Sequence, residues 1–361
     1  MKKIDGSEHV RVGIREPGKP LYLSWIRFQR RPVSMQANFG YDVHFMPIRW
    51  RGVGGLALSY LANFGASLKL LWSKRPDTVW VQVPQYPALW AAMLYRMFSS
   101  RPITLVADCH NSIVWRPWNR FPLGPSLLGS CDLVLVHNAE VAVDARALGV
   151  PADRLLVLED APSESTRAEA APADDAPRPW LLFPASWAAD EPIAQVLEAA
   201  RRMPEATFFI TGTPTRANPL PPPEQLPANV RLLGFLPLAA FDAYLSHADL
   251  VLALTLEEGI QLSVCNEAVG LGQPMVCSGT RILRKIFRQG TVFVDASYPD
   301  SIVAGCREAL AQREVLAAEM QEFRLERRQQ WLQGQALPVL KRLAATPDTA
   351  VLPGAEDVGA G

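Results

Sequence analysis

The sequence predicts an α/β protein built from two parallel sheets, each covered by helices on both faces. Three observations carry this. The 361 residues are too many for one ordinary core and suit two units of roughly 150 residues each. Short continuous apolar runs alternate with helical stretches along the whole chain, the pattern of strands buried on both faces by crossover helices. A stretch rich in Ala, Pro and acid, residues 161–179, splits that alternation into two series.

In the first series the strands are expected at His9–Glu16, Tyr41–Ile48, Thr78–Pro84, Ile103–Cys109, Asp132–Asn138 and Leu155–Asp160. Helices are clearest at Gly54–Trp72, Pro87–Ser100 and Ala139–Gly149. The second series has PWLLFPA, TFFITG, NVRLLG, DLVLALT, PMVCS and TVFVD as strands. A long helical pattern follows Asp300 to about Trp331, then a short helix near Leu337–Ala344. The expected layout is a first unit at 1–160, a linker at 161–179, a second unit at 180–345 with final helices crossing back to the first, and a disordered tail at 346–361. Asp174 and Asp175 fall in the linker, where solvation explains them better than a metal.

Composition narrows the function. Hydrophobic residues make up 49% and charged residues 20%, which excludes a disordered chain. The net charge of zero hides an asymmetry: residues 1–150 hold 18 Lys and Arg against 9 Asp and Glu, the remainder 18 against 27. The basic half is the one expected to meet anionic surfaces; its bases form no nucleic-acid-binding module. Five cysteines without a CxxC pair suit buried reduced thiols rather than zinc. MKKIDGSEHV lacks the apolar core of a signal peptide.

Helix 54–72 is close in length to a membrane span, but Ser59, Asn63 and Ser67 recur every fourth residue and make a polar stripe. Two readings stay open: packing on the first sheet, or lying in a membrane interface flanked by Trp50, Arg51, Trp72, Lys74 and Arg75.

The most informative stretch is DLVLALTLEEGIQLSVCNEAVGLGQPMVCS, residues 249–278. A strand, a polar loop and a helix in this order put a helix N-terminus at the carboxyl end of a parallel strand, where open α/β sheets bind ligands. Free N–H groups near Gln261, Leu262 and Ser263 suit a diphosphate, and Gly259 permits close backbone approach. Glu267, one turn in, suits the vicinal diol of a ribose; a surface charge near a helix start is the alternative.

This stretch resembles the donor-binding segment of family 4 glycosyltransferases of the GT-B superfamily. Their motif is a Glu, seven residues, and a second Glu followed by Ala. Glu267–Ala268 and GLGQPMV match, as do NVRLLGFLP and AFDAYLSHADLVLAL upstream. The resemblance covers most of residues 178–330 and implies the GT-B fold, in which two Rossmann-like domains face an interdomain cleft. It assigns the donor ribose to Glu267 and the region of donor sugar and diphosphate to Glu258, although eight residues separate the two glutamates here. Gly212, ending TFFITG, falls on the same donor side. Retaining members carry an Arg and a Lys after the first strand of this half to neutralise the leaving diphosphate. This chain has PASWAADEPI there, so Arg216, Arg281, Arg284 and Lys285 become the candidate bases.

In the first half, LVADCHN places Asp108, His110 and Asn111 at a strand end. The resemblance gives His110 a place facing the donor sugar, with Asp108 orienting it or acting as a base. Instead of the family's Gly-Gly pair the first loop has REPGKPLYLSW, with Gly18 in reach, followed by Arg27, Arg30 and Arg31 as candidates for an acceptor diphosphate or lipid headgroups.

The expectation is a retaining hexosyltransferase-type enzyme that uses a nucleotide-diphosphate-sugar as co-substrate and needs no cofactor or metal. Its acceptor is a lipid-linked or other glycan in polysaccharide assembly. It is expected in the cytoplasm, in peripheral contact with the anionic inner face of the plasma membrane, without nucleic acid as a partner. A GT-B nucleotide-sugar epimerase and a non-catalytic nucleotide-sugar or protein binder are the rival readings.

Overall fold

A computed structural model describes residues 18–50, 52–114, 117–162 and 168–345. The first lobe contains strands β1 (Leu21–Ser24), β2 (Asp42–Phe45), β3 (Thr78–Val83), β4 (Thr104–Cys109), β5 (Leu133–Val136) and β6 (Leu155–Val157). They form one parallel sheet in the order β2-β1-β3-β4-β5-β6. The crossovers are α1 (Arg30–Phe39), α2 (Val53–Lys74), α3 (Tyr86–Phe98), α4 (Gly124–Gly129) and α5 (Ala139–Ala147). The second lobe holds β7 (Trp180–Phe183), β8 (Thr207–Thr211), β9 (Val230–Gly234), β10 (Leu250–Ala253), β11 (Met275–Ser278) and β12 (Thr291–Val294), parallel in the order β12-β11-β10-β7-β8-β9. Its helices are α6 (Ile193–Arg202), α7 (Leu238–His247), α8 (Ser263–Leu271), α9 (Arg281–Ile286), α10 (Pro299–Ala311), α11 (Arg313–Trp331) and α12 (Leu337–Ala345).

Local chemistry sets the ends of several elements. The Asn138 side chain accepts from Val141 N at 2.9 Å and caps α5, while a left-handed Gly40 closes α1. Strand alternation then sends side chains to two cores per sheet. In the first lobe Leu23, Val79, Val81 and Leu105 pack on one face with residues of α2 and α3. Tyr22, Trp80, Val106 and Leu135 pack on the other with Met35 and Phe39 of α1. Trp331, Ala336 and Val339 complete that second core, so the chain's last helices return from the second lobe to the first. The Trp331 indole N–H donates to the Glu159 carbonyl at 2.9 Å.

The first predicted strand, residues 9–16, lies outside the described residues, as do Arg51 and the tail at 346–361. The strand β1 comes instead from LYLS, a segment the sequence assigns to a loop. Four buried residues after Pro20 are too few to show a period. Gly18 therefore precedes β1, at the end of the sheet remote from the cleft, and its N–H donates to Asp77. The loop that leaves β1 toward the cleft is Trp25–Gln29.

The polar stripe of α2 faces inward. Ser59, Asn63 and Ser67 are buried. Asn63 Nδ2 donates to the Met46 carbonyl at 2.9 Å, Ser67 Oγ to the Asn63 carbonyl at 2.7 Å, and the Trp25 indole N–H donates to Ser67 Oγ at 3.0 Å. No helix among the described residues is long and apolar enough to cross a membrane.

Candidate active site in the cleft between the sheets

A cavity of about 700 Å³ opens between the lobes, within the range of ligand-binding clefts. One wall is the turn from β10 into α8, where Gln261, Leu262, Ser263, Val264 and Glu267 line the space. Gly259 turns this loop at φ 76°, and its carbonyl accepts from Asn111 Nδ2 of the first lobe at 3.3 Å. Helix α8 has no side-chain cap and no acid in its first turn, so its leading N–H groups and the positive end of its dipole stay available to an anion. The Gln261 amide is buried with no partner on either its oxygen or its nitrogen. A buried polar group without a partner costs about 1–3 kcal/mol, which a bound ligand would relieve.

The floor comes from the ends of β7 and β8. Gly212 adopts φ 84°, and a Cβ there would lie 1.9 Å from the Ala185 carbonyl oxygen, so this close crossing requires glycine. Where the family resemblance leads to bases, the chain has acids. Glu191 accepts from the Ser186 and Ala188 N–H groups at 3.0 and 3.1 Å, and Asp190 accepts from Thr255 Oγ1 at 2.9 Å. Burial raises the Glu191 carboxyl above its usual value.

The positive charge arrives from the opposite lobe. Arg27 and Arg30 line the cavity beside Phe28 and His110. Arg27 lies over the Phe235 ring at 5.0 Å and has no acidic partner among the described residues. Arg30 bridges Asp242 of α7 at 2.6 Å and Glu267 at 3.2 Å. Burial pushes the Glu267 carboxyl up to about 7, against the pull of Arg30. The charged and neutral forms of Glu267 are thus balanced near neutrality.

Other expected site residues lie elsewhere. Arg31 is buried and faces the interior rather than a headgroup or an acceptor. It contacts Asp108 at 2.9 Å, Asp160 at 2.7 Å and the Leu158 carbonyl at 2.7 Å. Tyr22 donates to the same Asp108 carboxylate at 2.7 Å. Burial works to raise the Asp108 and Asp160 carboxyls, but the Arg31 guanidinium overrides it and holds both below their usual range. With its oxygens engaged in this way, Asp108 positions Arg31 and makes no hydrogen bond to His110. His110 does face the cleft. Burial lowers its pKa, as it lowers that of His137, whose ring lies 5.2 Å away, so both imidazoles are neutral at pH 7.

Glu258 turns away from the cleft: its carboxylate accepts from the Arg281 N–H at the start of α9 at 3.0 Å, next to a separate smaller cavity. Arg216 is exposed beyond β8, Arg281 pairs with Glu140 at 2.8 Å, Arg284 stacks on Phe293 at 4.7 Å, and Lys285 is exposed; none of the four lines the cleft. The sequence groups Arg27, Arg30 and Arg31 as candidates for an acceptor diphosphate or headgroups, and WIRFQRRP does not show which of them line the cleft.

Two facing parallel six-stranded sheets with a cleft between them are the GT-B fold. Residues 179–312 match the family model described as Glycosyl transferases group 1. A sucrose-phosphate synthase from Thermosynechococcus elongatus superposes with a TM-score of 0.66 at 14% identity, covering 91% of this chain and 100% of that one. HepE from Anabaena, in complex with UDP and glucose, gives 0.65 at 13% identity, covering 90% and 98%. A UDP-forming trehalose-phosphate synthase from Burkholderia xenovorans gives 0.63 at 13% identity, covering 91% and 99%. No curated protein matches the chain.

Proposed function

We propose that the protein is a glycosyltransferase, retaining and hexosyl-transferring, that moves a sugar from a nucleotide-diphosphate-sugar to a lipid-linked glycan acceptor. One observation carries this reading: an uncapped helix start, a carboxylate one turn later and two arginines from the opposite lobe all line one cleft. The N–H groups of Ser263 and Val264 take the diphosphate, Glu267 takes the ribose hydroxyls, and the unpartnered Gln261 amide turns to the ligand. Arg27 neutralises the diphosphate as it leaves, and Arg30 joins it once ribose replaces it on Glu267. These charges do the work that would otherwise need a divalent cation. Neutral His110 donates to or accepts from the donor sugar. The similar HepE structure holds UDP and glucose, so UDP is the first nucleotide to test.

The acceptor reading places the enzyme at the cytoplasmic face of the plasma membrane, in assembly of an exopolysaccharide or related glycan. Calorimetry with UDP, GDP, ADP and dTDP, followed by nucleotide release from the matching sugar donor, tests the reading. One nucleoside diphosphate is expected to bind, and its sugar donor to turn over only when acceptor is supplied. Release without acceptor would favour an epimerase, and binding without turnover on any acceptor a non-catalytic binder. If no nucleoside diphosphate binds, the reading fails.

A further inference from the structure

An amphipathic helix packed on a sheet normally turns its apolar face inward. Helix α2 packs Tyr60, Phe64 and Leu71 on the core, yet it also turns a second apolar face outward. Its polar residues Ser59, Asn63 and Ser67 bond to the protein, while Leu58, Leu61, Ala62, Gly65, Lys69 and Trp72 share the outward face. Leu58 is 53% exposed and Leu61 71%. At the C-terminal end of the neighbouring α3, which meets α2 through the Trp72–Tyr95 ring contact at 6.2 Å, Met97 and Phe98 are each 67% exposed. Keeping such side chains in water is unfavourable.

Charge identifies the occupant. Residues 46–107 contain seven Lys and Arg and a single acid, Asp77, which is already paired with Arg101 at 3.1 Å. Lys69, Lys74 and Arg75 stand exposed on α2 or just beyond it, and Trp50 and Trp72 flank the apolar stretch. Exposed leucines bordered by tryptophans and bases suit an interface of acyl chains and anionic headgroups.

We propose that the outward face of α2, with the end of α3, docks the protein on an anionic lipid bilayer, α2 lying in the plane of the interface. The same β1–α1 loop that lines the cleft through Arg27 and Phe28 is tied to α2 through Trp25, and Phe28 meets Phe45 at 5.6 Å. The helix that carries the docked face is thus joined to the loop that lines the cleft. This surface deepens the lipid-carried acceptor reading, and vesicle binding and nucleotide binding test the two separately.

The test is co-sedimentation of the full chain with phosphatidylglycerol vesicles and with phosphatidylcholine vesicles at low salt. Wild-type protein is expected to sediment with the anionic vesicles, and Leu58→Asp/Leu61→Asp to lose binding by about tenfold or more, with its melting temperature and nucleotide affinity retained. Because the chain's own five cysteines are buried, an environment-sensitive dye can be placed on Leu61→Cys. Its emission should shift to the blue on vesicles, and that of a dye on Val315→Cys of the second lobe should not. Failure of the wild type to sediment, equal binding by the double variant, or an unshifted dye would overturn the assignment. So would a dimer abolished by the double variant in a protein that ignores vesicles, since a second protein surface would then be the occupant.

Discussion

Glu267 sits where burial and a guanidinium pull its titration in opposite directions, and burial prevails. Only the ionised form accepts from both hydroxyls of a ribose, so protonation must weaken the nucleotide complex. With a value of about 7 in the free protein, about nine-tenths of Glu267 is protonated one pH unit below it. Calorimetric affinity for the nucleotide should therefore drop about tenfold from pH 8 to pH 6. Glu267→Gln should bind more weakly at pH 8 and lose that part of the pH dependence. Arg27 has a different signature. Its partner in the free protein is an aromatic ring rather than an acid, so Arg27→Ala should leave stability nearly unchanged. It should weaken a nucleoside diphosphate by about 1.5–3 kcal/mol, the range for a charge-assisted bond, and leave affinity for the bare nucleoside alone. Of these residues Glu267 was singled out in the sequence by the family resemblance, since local chemistry alone left a surface charge as the alternative; its place in the cleft comes from the structure. Arg27 and Arg31 looked alike in the sequence, and only the structure separates the cleft-facing arginine of the β1–α1 loop from the buried one on α1.

Elements with a clear period or a long apolar run were read in place: β3 to β5, β7, β8, β10 and β11, whose four to six residues are almost wholly buried, and the more exposed β9 and β12. The short β1 was not, and its omission moved Gly18 to the wrong end of the sheet. Helix α2 was found with its stripe, but a stripe alone does not say which face a sheet covers; the hydrogen bonds of Asn63 and Ser67 do. At this scale the firmest structural joint is Arg31, which links α1 to β4 through Asp108 and to the end of the first lobe through Asp160. Arg31→Met would leave two carboxylates buried without their counter-charge. Urea unfolding should report a loss of about 3–5 kcal/mol. The double replacement Arg31→Met/Asp108→Asn should recover part of it.

Across the whole molecule, contacts between the lobes are of two kinds. One is permanent in character: the C-terminal helices put Trp331 into the aromatic cluster of Tyr41, Phe39 and Trp80 in the first lobe. Trp331→Ala should cost about 3–5 kcal/mol and appear as an earlier thermal transition of the first lobe. The other is exchangeable: Arg30 bridges Asp242 and Glu267 across the cleft, and a ribose would displace it. On the proposed function, donor binding would exchange this bridge for contacts to the ligand.

The most direct measurement is a crystal structure of the protein with a bound nucleoside diphosphate. The account predicts phosphate oxygens within hydrogen-bond distance of the N–H groups that start α8 and of the Arg27 guanidinium, with Glu267 released from Arg30 and holding both ribose hydroxyls. A nucleotide bound outside this cleft, or within it while Glu267 keeps Arg30 as its sole partner, would contradict it.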